Sequence, residues 1–259
     1  MDLGIADRRA VVCASSKGLG RASAFSLARA GCAVWINGRD ETTLAAAAAE
    51  IRAETGARVS SVVADLSTEA GRAALLAACP DPDILVNNNG GPPYRPFSEV
   101  GRDEILAGVE ANMLAPILLA KAVLPAMTKR GFGRIVNVTS GSVRAPIPGL
   151  DVSSGARAGL TAFLAGVARE VARFGVTINH LQPGAFDTDR IRGAVARQAA
   201  ASGADPGAIH AARRASIPAG RYGRAEEFGE ICAFLCSMQA GYVTGQSLLV
   251  DGGAFPGAF

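Results

Sequence analysis

"CASSKGLGRA", residues 13–22, decides the fold. It follows the β-branched, apolar run "AVVCA" (10–14) and leads straight into the helical pattern "LGRASAFSLARA" (19–30). A strand that turns through glycine into a helix is the opening unit of a strand–helix–strand fold. Gly18 and Gly20 let the backbone approach an anion at the mouth of that helix, where the first amides have no partner within the helix. A tight turn that only needs positive φ would leave the same letters. The rest of the chain has to decide between the two.

Working outward, the same alternation repeats. "AVWIN" (33–37), "VSSVV" (59–63), "ILVN" (84–87), "RIVNVTS" (134–140), "TINHL" (177–181) and "SLLV" (247–250) read as further strands. Longer segments of helical spacing separate them, with helices over about 102–127 and 153–174. Repeated strand and helix means parallel pairing through right-handed crossovers. The expectation is one doubly wound α/β domain over residues 1–259, with a seven-stranded parallel sheet flanked by helices. One stretch breaks the rhythm: residues 186–220 are long, polar and helix-prone, and a connection of that length is expected to cap a site.

Composition narrows the function classes. With 49% hydrophobic residues the chain is a compact globular protein, and a net charge of +3 without any basic block does not suggest nucleic acid. The five cysteines, an odd number without C-x-x-C spacing, read as reduced core thiols in a cytoplasmic protein. Cys232 and Cys236 share a helical face, but no histidine accompanies them, so no metal site is expected. Nothing reads as a signal peptide, and the apolar "MLAPILLAKAVLPAM" (113–127) is interrupted by Pro116, Lys121 and Pro125, too short to cross a membrane.

The tip of the second strand, "VWINGRD" (34–40), carries the cofactor preference. A carboxylate there would bind ribose hydroxyls and favour NAD. Gly38 takes that place, Arg39 follows, and Lys17 stands in the glycine loop. Two cations suit a 2′-phosphate, hence NADP(H). Asp40 is expected to cap the next helix and point away.

These motifs, taken in order, resemble the short-chain dehydrogenase/reductase family along essentially the whole chain. "CASSKGLG" is similar to the family's TGxxxGxG, with Cys13 and Ala14 for Thr and the first Gly. Asp65 in "ADLS", "NNNG" (87–90), Asn112, Ser140 and "QPGAFDTD" (182–189) fall at the other family motifs. The resemblance implies a Rossmann-type domain and a 3-oxoacyl carrier-protein reductase-like activity on a small carbonyl or alcohol. It implies cofactor contacts from Ser15, Ser16, Lys17, Gly18, Leu19, Gly20, Arg39, Asp65, Leu66, Asn88, Gly90, Arg157, Pro183, Gly184, Phe186 and Thr188. It also implies a homo-oligomer, dimer or tetramer.

One departure stands out. Counted from Ser140, the family's tyrosine falls on Ser153 and its lysine on Arg157. Tyrosine occurs only at 94, 222 and 242, and no lysine lies beyond Lys129, so the chain has no Tyr-x-x-x-Lys. A positioned general acid typically contributes ~10²–10⁴ in rate, and a serine hydroxyl is far less acidic than a phenol. The candidate catalytic set is therefore Ser140, Asn112, Ser153, Arg157 and Tyr94. Ser140, Ser142 and Ser153 could orient a water. Tyr94, in "GGPPYRPF" (90–97), could swing its phenol into the vacated space or simply cover the core. Otherwise the substrate needs little proton assistance. Asp151 reads as a solvated loop acid, His180 as a core histidine and His210 as a lid residue. Phe97, Phe186 and the lid are expected to line an apolar substrate site. The alternatives are a silent NADP(H)-binding relative serving as sensor or partner subunit and, less favoured, a lyase or isomerase that keeps the cofactor.

Overall fold

Residues 2–257 are described by a computed structural model. Seven strands form one sheet: β1 (Arg9–Val12), β2 (Ala33–Gly38), β3 (Val59–Val63), β4 (Ile84–Asn87), β5 (Gly133–Val138), β6 (Val176–Pro183) and β7 (Ser247–Val250). Their order is β3-β2-β1-β4-β5-β6-β7, and every neighbouring pair is parallel. The chain winds outward from β1 to β3, then crosses back to place β4 on the other side of β1. That reversal opens a crevice beyond the carboxyl ends of β1 and β4, where doubly wound sheets bind ligands.

Both faces of the sheet are covered, so its strands are apolar throughout rather than alternating. Ala10 and Val12 of β1 face one core, with Leu27 of α1 (Gly18–Arg29), Ile51 of α2 (Glu41–Thr55) and Phe228 of α9 (Ala225–Leu235). Val11 faces the opposite core. There it meets Leu75 of α3 (Glu69–Ala78), Leu119 and Met127 of α5 (Ala115–Arg130), and Leu160 of α6 (Asp151–Val171). All five cysteines are buried and free. At the amino end of the sheet, buried Asp83 meets Arg8 at 3.2 Å and Arg130 at 2.9 Å and accepts from the Arg9 amide at 2.8 Å. This knot closes the end opposite the crevice.

Three expectations change. β1 ends at Val12, not residue 14, because Cys13 and Ala14 already turn, with Ala14 at φ +43°. Pro116 and Pro125 do not break their segment. α4 (Arg102–Val109), a π-turn over Glu110–Leu114 and α5 form one 29-residue helix, Arg102–Arg130. The π-turn widens the backbone just ahead of Pro116, which lacks the amide an ordinary turn would need. By length and mean hydropathy, 1.5, this helix is long and apolar enough to cross a membrane, so the expectation that it is too short does not hold. Here its Leu119, Ala120, Val123 and Met127 lie on the sheet. Residues 186–220 are mostly helix: α7 (Asp189–Ser202) and α8 (Pro206–Ala215), anchored by buried Val195 and Ile209.

Candidate functional site

The turn after β1 is tied down from two sides. The Ser15 amide donates to Asn37 O at 2.7 Å, and its hydroxyl donates to Val12 O at 2.6 Å while accepting from the Asn37 amide at 3.0 Å. Ser15 is wholly buried, so this expected cofactor residue is engaged in fastening the loop to β2. Asn37, which the sequence did not single out, bridges onward to Val62 O and Ala64 O at 3.0 and 3.1 Å. From β4, Asn88 Nδ2 donates to Ala14 O at 3.0 Å.

The two glycines have separate reasons. Gly18 sits at φ +55°, and a Cβ there would lie 3.7 Å from Thr188. A Cβ on Gly20 would fall 2.4 Å from Ala14 O and 2.6 Å from Asn88 Nδ2. The tightness at Gly20 thus comes from the protein's own tether, not only from an approaching anion. Lys17 caps α1 without a side-chain hydrogen bond, and the first turn carries no acid. Its leading amides stay open, as an anion at a helix mouth requires. Leu19 packs beside the core next to them.

At the tip of β2, a Cβ on Gly38 would stand 3.3 Å from the Ser16 side chain. Arg39 extends into solvent, with Nη1 4.0 Å from Asp65 Oδ2. Asp65 accepts from the Ser67 hydroxyl and amide, which hold its carboxyl below the usual range, with a smaller contribution from Arg39. Asp40 caps α2 through the Thr43 amide at 2.8 Å, which spends its charge on the helix as expected. A cavity of about 350 Å³ begins here and runs past Leu66 and Gly90 to Asn112 and Ser153. Nothing stands within 4 Å of where a Gly90 Cβ would be, so that backbone is bare.

At the far end, Asn112 lies in the π-turn with its Nδ2 on Gly108 O at 3.3 Å and its buried Oδ1 without a partner. Ser140 Oγ accepts from the Ser142 amide at 3.1 Å and the Ser142 hydroxyl at 2.9 Å. Pro183 adjoins this turn, its carbonyl 3.4 Å from where a Gly141 Cβ would lie. The Gly184 amide donates to Val250 O at 2.8 Å. Ser153 and Arg157 are both buried on α6, and Arg157 Nη1 donates to Ser153 Oγ while Nη2 donates to Asn89 O at 3.2 Å. Burial, then the charge of Arg190, brings the Arg157 guanidinium down to about 10, so it stays protonated at neutral pH. Arg190 enters from α7, with Nη1 3.4 Å from Gly91 O. Asn89 stands where the family's motif has alanine, and its carbonyl now holds Arg157; Arg190 was not singled out from the sequence, since one more lid arginine carries no local signal.

Other expectations move. Tyr94 is not among the residues that line the cavity with Ser153. Its ring lies over Gly149, where a Cβ would be 2.2 Å from Cε2, and it remains 57% exposed. Phe186 is not among the residues lining the cavity described above. It is buried edge-on against Phe228 at 5.4 Å because residue 186 returns the chain to the core before the lid begins. Phe97 is 82% exposed on a short turn and is not among the residues lining that cavity. Asp151 opens α6, accepts from the Gly149 amide at 3.2 Å and lines the cavity. His180 is a core histidine, pulled down to about 4 by burial, and His210 pairs with the Tyr222 hydroxyl at 3.1 Å. No group of metal-ligating side chains occurs among the described residues.

A dinucleotide fits the residues present. The open mouth of α1 suits a diphosphate, the exposed Arg39 suits a ribose phosphate, and the orphaned Asn112 Oδ1 shows a polar site at the other end lacking a partner.

Known proteins resemble this chain in sequence and fold. A family model described as enoyl-(acyl carrier protein) reductase matches residues 13–254. The 3-oxoacyl-(acyl-carrier-protein) reductase FabG of Pseudomonas aeruginosa is 35% identical over 254 residues, covering 95% of this chain and 96% of its own. The 2,3-dihydroxy-2,3-dihydro-p-cumate dehydrogenase of Pseudomonas putida is 32% identical, over 95% and 93%. Among solved structures, L-sorbose reductase from Gluconobacter frateurii, complexed with NADPH and L-sorbose, superposes with a TM-score of 0.93 at 28% identity, covering 99% and 100% of the chains.

Proposed function

The chain belongs to the short-chain dehydrogenase/reductase family, and from that premise we propose that it is an NADP(H)-dependent reductase of a small carbonyl compound in which Ser153 and Arg157 replace the usual acid pair. The observation that carries this reading is the joined crevice. One cavity connects Arg39 and Asp65, at the adenosine end, to Asn112 and Ser153 at the reacting end. Relatives named as NADPH-dependent or NADPH-complexed reductases support the choice of cofactor. The named 3-oxoacyl reductase supports a 3-oxoacyl-like substrate.

Bound NADPH supplies the hydride. The chain's own residues hold the carbonyl and manage the charge that develops on its oxygen. Ser140 Oγ accepts two hydrogen bonds from Ser142, and Ser153 Oγ accepts one from Arg157, which leaves each hydroxyl proton free to donate. Donors aimed at a developing oxyanion stabilise it without transferring a proton. A guanidinium holds charge but does not release its proton in the working range. Water therefore delivers the proton, and proton transfer is slower than with a phenol. Arg157 also offers donors for ribose hydroxyls. Residues 186–220 close over the crevice as a lid. Exposed Ile105, Leu106 and Phe163 on α4 and α6 support self-association into a dimer or tetramer. Five buried free thiols suit a reducing, cytoplasmic setting.

The test is NADPH consumption with a panel of ketones and 3-oxoacyl thioesters. Turnover abolished by Ser140→Ala supports the reading. NADPH binding without turnover on any of them favours a silent cofactor-binding relative, the alternative that the missing phenol keeps open.

A further inference from the structure

Two arginines reach the same loop, 89–91, at the reacting end, and neither has a carboxylate partner. Arg157 is 7% exposed, yet its guanidinium touches only neutral partners, Ser153 Oγ and the carbonyl of Asn89. Arg190 reaches the carbonyl of Gly91, two residues along the same loop. Its Nη2 stands 2.7 Å from where a Gly91 Cβ would be. No carboxylate lies within ion-pair distance of either among the described residues. The acids beside Arg190 are already engaged, since Arg192 holds Asp187 at 2.6 Å and Asp189 at 2.9 Å. Asp151, at the start of α6, is turned to the Gly149 amide.

Arg134 shows what a purely structural buried arginine looks like here. Its guanidinium donates to the carbonyls of Ser237, Gly133 and Gly175 and stacks on Phe132. Arg157 has no such set, and Arg190 opposes it with a like charge that helps lower its proton affinity. Two guanidiniums held on one loop, each with more N–H groups than its carbonyl contact uses, suit a planar anion, which takes paired N–H bonds.

We propose that Arg157 and Arg190 clamp a carboxylate carried by the substrate, which makes an oxo acid the class of compound reduced. This rests on the reductase reading above and narrows its carbonyl substrate to a free oxo acid, since a 3-oxoacyl thioester brings no carboxylate to the two arginines. The cofactor's diphosphate is a second source of the same charge, but the open amides at Gly18 already provide for it. The carboxylate, gripped from α6 and from the lid, also gives the lid a reason to close.

The test is calorimetric titration of the NADPH-loaded protein with 2-oxohexanoate and, separately, with the neutral 2-hexanone. The wild type binds the oxo acid about tenfold more tightly or better, in line with a charge-assisted bidentate pair. In Arg190→Gln that preference disappears while NADPH affinity stays unchanged, and Arg190→Lys restores part of it. Equal binding of the two probes, no binding of the oxo acid, or a preference that survives Arg190→Gln overturns the proposal. So does a loss of NADPH affinity in that variant with the preference intact, which would assign Arg190 to the diphosphate. A wild type that takes up no NADPH contradicts the reductase reading itself and is seen before either probe is added.

Discussion

Arg157 donates to the hydroxyl of Ser153 from one helical turn further along α6, and both side chains are buried. The hydroxyl accepts from a cation that accepts nothing in return, so its own proton is not spent on Arg157. The pair is therefore a hydrogen-bond donor without being a practical acid. Changing Ser153→Ala removes the donor and leaves the guanidinium; NADPH-dependent turnover falls by about 10- to 100-fold with the Michaelis constant little changed, as expected when an interaction made mainly in the transition state is lost.

Putting a phenol and an ammonium back tests the complement. The cavity reaches Ser153, so the larger side chain has space to enter. Ser153→Tyr combined with Arg157→Lys should raise kcat by ~10²–10⁴ and bring a pH profile that the wild type lacks. A double variant that folds, binds NADPH and gains nothing would show that Ser140 and Asn112 no longer support such an acid.

Gly20→Ala places a methyl group against Ala14 O and Asn88 Nδ2. The turn must shift off β4, which misaligns the amides at the mouth of α1. NADPH affinity drops about tenfold or more while the unfolding temperature falls only modestly. Fluorescence titration alongside a thermal melt separates the two effects.

His180 gives the fold an acid limit. Its imidazole is 2% exposed, Nδ1 has no partner, and burial brings it from an unfolded value near 6.5 down to about 4. Between those values the unfolded chain binds the extra proton and the folded chain does not. Stability is therefore complete above about pH 6.5 and declines as pH falls toward 4, by roughly 3 kcal/mol for this one group. Chemical denaturation across that range should show the decline, and His180→Gln should flatten it.

Asp83 closes the other end of the sheet. It is 5% exposed and faces Arg8, Arg9 and Arg130. Asp83→Ala leaves these guanidiniums without their anion and costs about 3 kcal/mol, a fall of roughly 10 °C in Tm. Cofactor affinity, set at the opposite edge, should not move.

The sheet was legible because its signal is periodic. Residues 10–12 put alternate side chains into two cores, and each later strand repeats that logic. Gly18 and Gly20 were legible because few side chains survive a positive φ or a carbonyl at 2.4 Å. The long helix is hidden in the sequence because prolines normally mark breaks, whereas here a π-turn absorbs Pro116. The seats of Tyr94 and Phe186 are not written in the local sequence. Which way an aromatic side chain faces depends on tertiary neighbours, Gly149 for one and Phe228 for the other. Arg190 was invisible for the same reason, since its importance lies in meeting a loop 99 residues away.

The central claim is a nucleotide with an extra ribose phosphate seated between β1 and β4 and read by Arg39. Its most direct test is fluorescence titration with NADPH and with NADH for the wild type and Arg39→Ala. The account predicts a preference for NADPH of about tenfold or more that vanishes in the variant. An equal or greater affinity for NADH, or a preference untouched by Arg39→Ala, would contradict it.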